Sequence, residues 1–150
     1  VSEGIFRGGK PTSKVQVEEL AKSGVTKVID LILDGPSGNT SKKQVESSWC
    51  RDCGIGYESI PISTKTVTAN ELNAIANKIR EEKAKGNSVF IHCQFGRDRT
   101  GLVVAALRHQ EGASYEEALS EMQKHNFTTR TSGALRTMAL LREMYGLPPE

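Results

Sequence analysis

The chain has 150 residues, 37% apolar and 25% charged, and a net charge of +2. That is the make-up of one globular domain able to bury roughly two thirds of its unfolded surface, which excludes a disordered chain. The mild charge makes no case for nucleic acid, no apolar stretch approaches the roughly 20 residues of a bilayer span, and three cysteines do not make a disulfide scaffold.

In chain order, a β-rich run covers Gly4–Arg7. Ser13 with Gln16 forms a capping-box pattern that starts a helix from Lys14 to about Ser23, stopped at Gly24. A second β-rich run covers Thr26–Leu33, and its part Val28–Leu33 is nearly continuous in apolar residues, as a strand covered on both faces should be. Ser41 with Gln44 marks a helix running to about Asp52, stopped at Gly54, and Gly56–Ile62 is the third strand. Thr68 with Glu71 opens a helix that places Leu72, Ile75, Ala76 and Ile79 on one stripe before Gly86. Ser88–His92 is the fourth strand.

Further helices follow over Thr100–Glu111, over Tyr115–His125 from the Ser114–Glu117 box, and over Ser132–Tyr145, with Pro148-Pro149 closing the chain. The second of these buries Ala118, Leu119 and Met122. Strands alternating with helices predict an α/β fold: a mainly parallel central sheet of four to five strands with helices on both faces, in a single domain over 1–150. No internal repeat interrupts this plan. The chain opens at Val1 without a methionine, so removal of a preceding segment is expected, and both a cytoplasmic and an exported protein stay open.

The chemistry concentrates in His92-Cys93-Gln94-Phe95-Gly96-Arg97-Asp98-Arg99-Thr100-Gly101, between a strand and a helix. Strand, tight loop and helix N-terminus aim successive backbone N–H groups at one point, a cradle for a phosphate dianion. The expected cradle runs from Gln94 through Phe95, Gly96, Arg97 and Asp98 to Arg99. Cys93 at its mouth is a candidate thiolate nucleophile, because helix termini and cations lower a thiol's pKa. Arg99 offers a planar fork for two phosphoryl oxygens. Gly96 lets the backbone approach an oxygen. Thr100 can donate a hydrogen bond to the Cys93 sulfur, and His92 holds the loop's shape.

The pattern His-Cys-x-x-Gly-x-x-Arg-Thr resembles the signature of the cysteine-dependent protein tyrosine phosphatase superfamily, and the chain looks like its small dual-specificity-type members. The resemblance implies a metal-independent phosphatase without cofactor, working in two steps through a phosphocysteine. It also implies an aspartate general acid on the loop after the third strand. Here that loop, Ile60-Pro61-Ile62-Ser63-Thr64-Lys65-Thr66-Val67-Thr68, has no Asp or Glu. Asp98 is the nearest substitute, and a loop reading Cys-x-x-Gly-x-Asp-Arg-Thr resembles that of myotubularin phosphoinositide phosphatases. The alternatives are that Asp98 is a solvated residue pairing with Arg97 or Lys65, or that Asp34, Asp52 or Glu58 enters the site by folding.

Arg7, Lys10, Lys65 and Arg97 are candidate substrate-binding cations, suited to inositol polyphosphates or phosphoinositides. Ile5-Phe6-Arg7-Gly8-Gly9-Lys10-Pro11 resembles the entry segment of small bacterial and plant dual-specificity phosphatases. Phosphoproteins are the alternative substrates, and a phosphate-binding pseudo-phosphatase without turnover is the third reading. No nucleic acid partner is expected, although related RNA-capping triphosphatases share the motif.

Cys50 and Cys53 have metal-like spacing but lack a second pair, so buried apolar roles are expected, with a redox partnership to Cys93 as the sharper idea. Trp49 and Tyr57 read as core, and His109 and His125 as partners of helix ends.

Overall fold

The structure, a computed structural model, describes residues 4–33, 39–94, 98–124 and 134–148. Its elements are β1 (Ile5–Gly8), α1 (Lys14–Lys22), β2 (Lys27–Asp30), α2 (Asn39–Asp52), β3 (Gly56–Ser59), α3 (Ala69–Ala84), β4 (Val89–His92), α4 (Asp98–Gln110), α5 (Tyr115–Lys124) and α6 (Ala134–Met144). The strands form one sheet in the order β1-β4-β2-β3, every pair parallel. The α/β expectation holds, with four strands among the described residues.

Strand alternation divides the core in two. Ile29 and Ile91 face one side and join residues of α3, α4, α5 and α6 in the larger apolar cluster. Val28 and Phe90 face the other side and pack with Val17 of α1 and Cys50 of α2. Helix α4 is buried at every position from Thr100 to Leu107, because α3, α5 and α6 surround it. It is therefore a fixed post for the loop that precedes it.

Local signals account for most helix ends. Thr68 and Glu71 complete a reciprocal capping box, Glu71 N donating to Thr68 Oγ1 at 3.1 Å and Thr68 N to Glu71 Oε1 at 3.2 Å. Ser114 and Glu117 do the same at α5. At α1 the box is half formed: Ser13 Oγ accepts from Gln16 N, but Gln16 Oε1 accepts from Thr12 N instead. Helix α2 starts at Asn39, so Ser41 lies inside it and caps nothing.

The second and third strands are shorter than their apolar runs. Backbone pairing does continue past Asp30, with Leu31 N donating to His92 O at 2.9 Å and Ile62 N to Leu31 O at 3.2 Å. The register slips there: Ile60 N donates to Asp30 O at 2.8 Å, and two residues on Ile62 N reaches only one residue further, to Leu31. The expected helix start at Ser132 lies outside the described residues.

Candidate active site

Cys93 follows the last residue of β4, at the carboxyl edge of the sheet, where ligands of parallel α/β sheets bind. It is 3% exposed and opens onto a cavity of about 300 Å³. Leu33 after β2, Ile62, Ser63 and Thr64 after β3, and Asp98 and Arg99 in the first turn of α4 complete the described lining. The fold thus brings Cys93, Asp98 and Arg99 to one space, as the motif predicts. Phe95, Gly96 and Arg97 lie outside the described residues, as does Asp34.

Among the described lining residues Asp98 is the one carboxylate and Arg99 the one cation. The other two candidate acids among the described residues, Asp52 and Glu58, are paired elsewhere. Asp52 pairs with Lys14 at 3.3 Å, and Glu58 pairs with Lys27 at 3.2 Å and with Lys78. Thr100 is fully buried, and its Oγ1 makes no hydrogen bond among the described residues. A hydroxyl left so is costly, about 1–3 kcal/mol, and is commonly explained by function.

The candidate substrate cations separate. Lys65 is exposed in the turn beside Thr64. Lys10 donates its backbone N–H to Gln94 O at 3.3 Å and lines a second groove with Lys42, Val45, Trp49 and Gln94. Arg7 instead lies half-buried beneath α4, its Nη2 3.7 Å from where a side chain at Gly101 would begin. Burial lowers its pKa, while the charges of Glu121 and Cys93 act to raise it. Arginine stays cationic there, so Arg7 contributes positive potential at Cys93 from within the protein.

Behind Cys93 lies a polar cluster that sequence reasoning missed. Asp30 and His92 are cross-strand partners on the face toward α2, and both are fully buried. His92 Nε2 meets Glu46 Oε2 at 2.6 Å, and His92 Nδ1 meets the Cys93 carbonyl at 3.2 Å. Asp30 Oδ1 accepts from Ile32 N at 2.9 Å, and Oδ2 accepts from Tyr57 Oη at 2.5 Å. Lys43 donates to the Ile32 carbonyl and to Ser59 Oγ at 2.7 Å.

Burial works to lower the His92 pKa, but the Glu46 hydrogen bond, then the charges of Glu46 and Asp30, leave it raised. Burial first, then the Asp30 hydrogen bond, pushes the Tyr57 hydroxyl up, so it stays a neutral donor. Asp30, Glu46 and His92 present ligand atoms within 4.8 Å of one another. Those atoms are engaged with each other, with Tyr57 and with backbone, which fits an internal network better than a metal centre. The available signal was Asp30 itself, the one acidic residue in the run of the second strand.

Cys50 is fully buried on the α2 side, and burial, then Glu46, pushes its thiol up to about 12. That suits the apolar role and gives no reactive thiolate for redox exchange. Trp49 and Tyr57 are partly buried against the smaller cluster. His109, in the last turn of α4, stacks 4.3 Å from Tyr145, and His125 lies outside the described residues.

The comparisons agree with this geometry. Residues 5–145 match the family model described as dual specificity phosphatase, catalytic domain. TpbA of P. aeruginosa is 23% identical, with a TM-score of 0.75 over 93% of this chain and 79% of that one. Tk-PTP in its active form is 25% identical, with a TM-score of 0.72 over 95% and 91%. The catalytic core of the PP-IP phosphatase SIW14 from S. cerevisiae is 18% identical, with a TM-score of 0.73 over 97% and 82%. No curated protein sequence matches. Among the described residues no helix is long and apolar enough to cross a membrane. The family match runs over nearly the whole chain, which therefore belongs to the dual specificity phosphatases and is a cysteine-dependent phosphatase.

Proposed function

We propose that the protein hydrolyses phosphate monoesters through a phosphocysteine on Cys93, with inositol polyphosphates or phosphoinositides as its substrates. The observation that carries the reaction is the shared lining of one cavity by Cys93, Asp98 and Arg99. The Cys93 thiolate attacks phosphorus while the bond from phosphorus to the ester oxygen breaks. Arg99 and the loop N–H groups hold the phosphoryl oxygens, and Asp98 gives its proton to the departing oxygen.

Water then attacks phosphorus, its proton passing to the Asp98 carboxylate, and the sulfur–phosphorus bond breaks to release inorganic phosphate. Thr100 Oγ1 donates to the departing sulfur. One catalytic unit, without metal or cofactor, suffices for these steps.

Support for the substrate comes from the surroundings. Ser63 and Thr64 give the cavity a hydroxyl-bearing wall, Lys65 adjoins it, and Lys10 and Lys42 flank the groove next to Gln94. Arg99 in the pocket, with cations beside it and along the groove next to Gln94, suits a ligand with several phosphates. SIW14, a structural relative, is a PP-IP phosphatase. A second reading rests on Leu33 and Ile62, whose apolar walls suit the ring of phosphotyrosine, and TpbA has been seen in complex with pTyr.

Parallel measurement of kcat/KM on inositol hexakisphosphate and on a phosphotyrosyl peptide, with Cys93→Ser as control, separates the two. The inositol reading expects at least about tenfold preference for the inositol phosphate, a difference of about 1.4 kcal/mol. Preference for the peptide by the same margin would replace it with the second reading.

A further inference from the structure

Helix α2 sends two charged side chains inward, toward the strand ends that carry the site. Its residues Lys43 and Glu46, three apart and so on one helix face, both reach into the protein and are 6% and 0% exposed. Lys43 clamps the Ile32 carbonyl just before Leu33, a wall of the cavity. Glu46 contacts the imidazole next to the candidate nucleophile, from 46 residues away in sequence.

We propose that Glu46 is a positioning residue for the phosphatase reaction: it fixes the His92 ring as an imidazolium, and through the ring it orients the Cys93 peptide and stabilises the Cys93 thiolate. This rests on Cys93 being the nucleophile.

The charge state follows from hydrogen-bond chemistry. Both ring nitrogens of His92 face oxygen, the Glu46 carboxylate at 2.6 Å and the Cys93 carbonyl at 3.2 Å. A carbonyl and an ionised carboxylate only accept, and only the imidazolium carries a proton on both nitrogens. Glu46 Oε1 is buried with no hydrogen bond among the described residues, so the carboxylate leans on the imidazolium for compensation.

Around the ring, Asp30 on β2 lies 3.9 Å from Nδ1, and Tyr57 on β3 faces it through Asp30. Phe90 lies 5.8 Å away on the same strand. From α2 come Lys43 and the neutral Cys50 thiol, and from β1 Arg7 acts on Cys93. Asp30 and Glu46 balance His92 and Lys43, so loss of one carboxylate removes the reason for the ring's proton. An imidazolium one residue from the sulfur then disappears from the potential that favours the thiolate.

The test is the pH dependence of Cys93 alkylation by iodoacetamide in the wild type and in Glu46→Gln. Glutamine keeps the volume and one acceptor oxygen. The expected result is an upward move of the alkylation midpoint by about one pH unit, with alkylation at a pH below both midpoints slowed about tenfold. kcat/KM on an aryl phosphate should show the same displaced acid limb. A folded Glu46→Gln with the wild-type midpoint and profile would overturn the proposal. Nitrogen NMR of the wild-type His92 ring at pH 7.5 needs no variant: both nitrogens protonated supports the proposal, and a neutral ring overturns it. Cys93→Ser separates the two readings. If that variant still turns over, the nucleophile assignment fails; if it is dead and Glu46→Gln behaves as wild type, only the role of Glu46 fails.

Discussion

The Arg136 guanidinium donates from Nε to the Thr64 carbonyl at 3.1 Å. Its Nη2 also reaches the Val67 carbonyl at 3.0 Å, so α6 holds the loop whose Ser63 and Thr64 wall the cavity. Val67 is core, 3% exposed, which anchors the loop's far end. Arg136 is itself exposed, so the net value of these bonds is about 1 kcal/mol. Arg136→Ala should raise KM by up to about tenfold and leave Cys93 alkylation unchanged. Steady-state kinetics beside iodoacetamide labelling checks this; a fall in kcat with an unchanged KM would contradict it.

His92 should make stability fall as pH rises. Its folded pKa is raised by the net effect of Glu46 and Asp30 against burial. The stabilisation is therefore fully present below the free value of about 6.5 and is lost as pH climbs through the folded value. Urea unfolding between pH 6 and 8 should show a declining midpoint, and His92→Gln should flatten that slope. The window stops at 8 because Cys50, raised to about 12 by burial and then Glu46, adds a loss of the same sign above about 8.5. An equal slope in both proteins would refute the assignment.

Asp98 is the one carboxylate in the described lining of the cavity, so Asp98→Asn should discriminate between leaving groups. Alkyl phosphates, which need the proton, should slow by about 10²–10⁴, and aryl phosphates with good leaving groups far less. Uniform slowing across a leaving-group series would remove Asp98 from the role.

Thr100 offers opposite effects on stability and turnover. Its buried Oγ1 has no hydrogen bond among the described residues, so Thr100→Val should leave stability unchanged or raise it by about 1 kcal/mol. The same change should slow dephosphorylation, so that phosphocysteine accumulates after a burst. Thermal unfolding and rapid-quench kinetics read the two effects. A destabilised variant with unchanged turnover would contradict both.

The meeting of Cys93, Asp98 and Arg99 was legible because they are close in sequence, on either side of one strand-to-helix turn. The sheet was legible for the same kind of reason, since each run of strand residues is bounded by glycines and caps. What escaped is what the fold brings together from a distance. Glu46 sits in a helix whose apparent cap at Ser41 misplaced its start, and nothing local marks it as a partner of His92. Asp30 was hidden in an apolar strand, and only the parallel register of β2 against β4 sets it beside His92. Arg7, read as a candidate substrate-binding cation, lies half-buried beneath α4, where no local sequence signal places it.

The most direct test is hydrolysis of an aryl phosphate by the wild type and Cys93→Ser under a chelator, with the phosphoenzyme trapped by rapid denaturation at alkaline pH. The wild type should turn over with chelator present and yield an alkali-stable phosphocysteine at Cys93, while Cys93→Ser should show neither. Turnover retained by Cys93→Ser, or a wild type that hydrolyses without passing through a labelled Cys93, would contradict the assignment of the nucleophile.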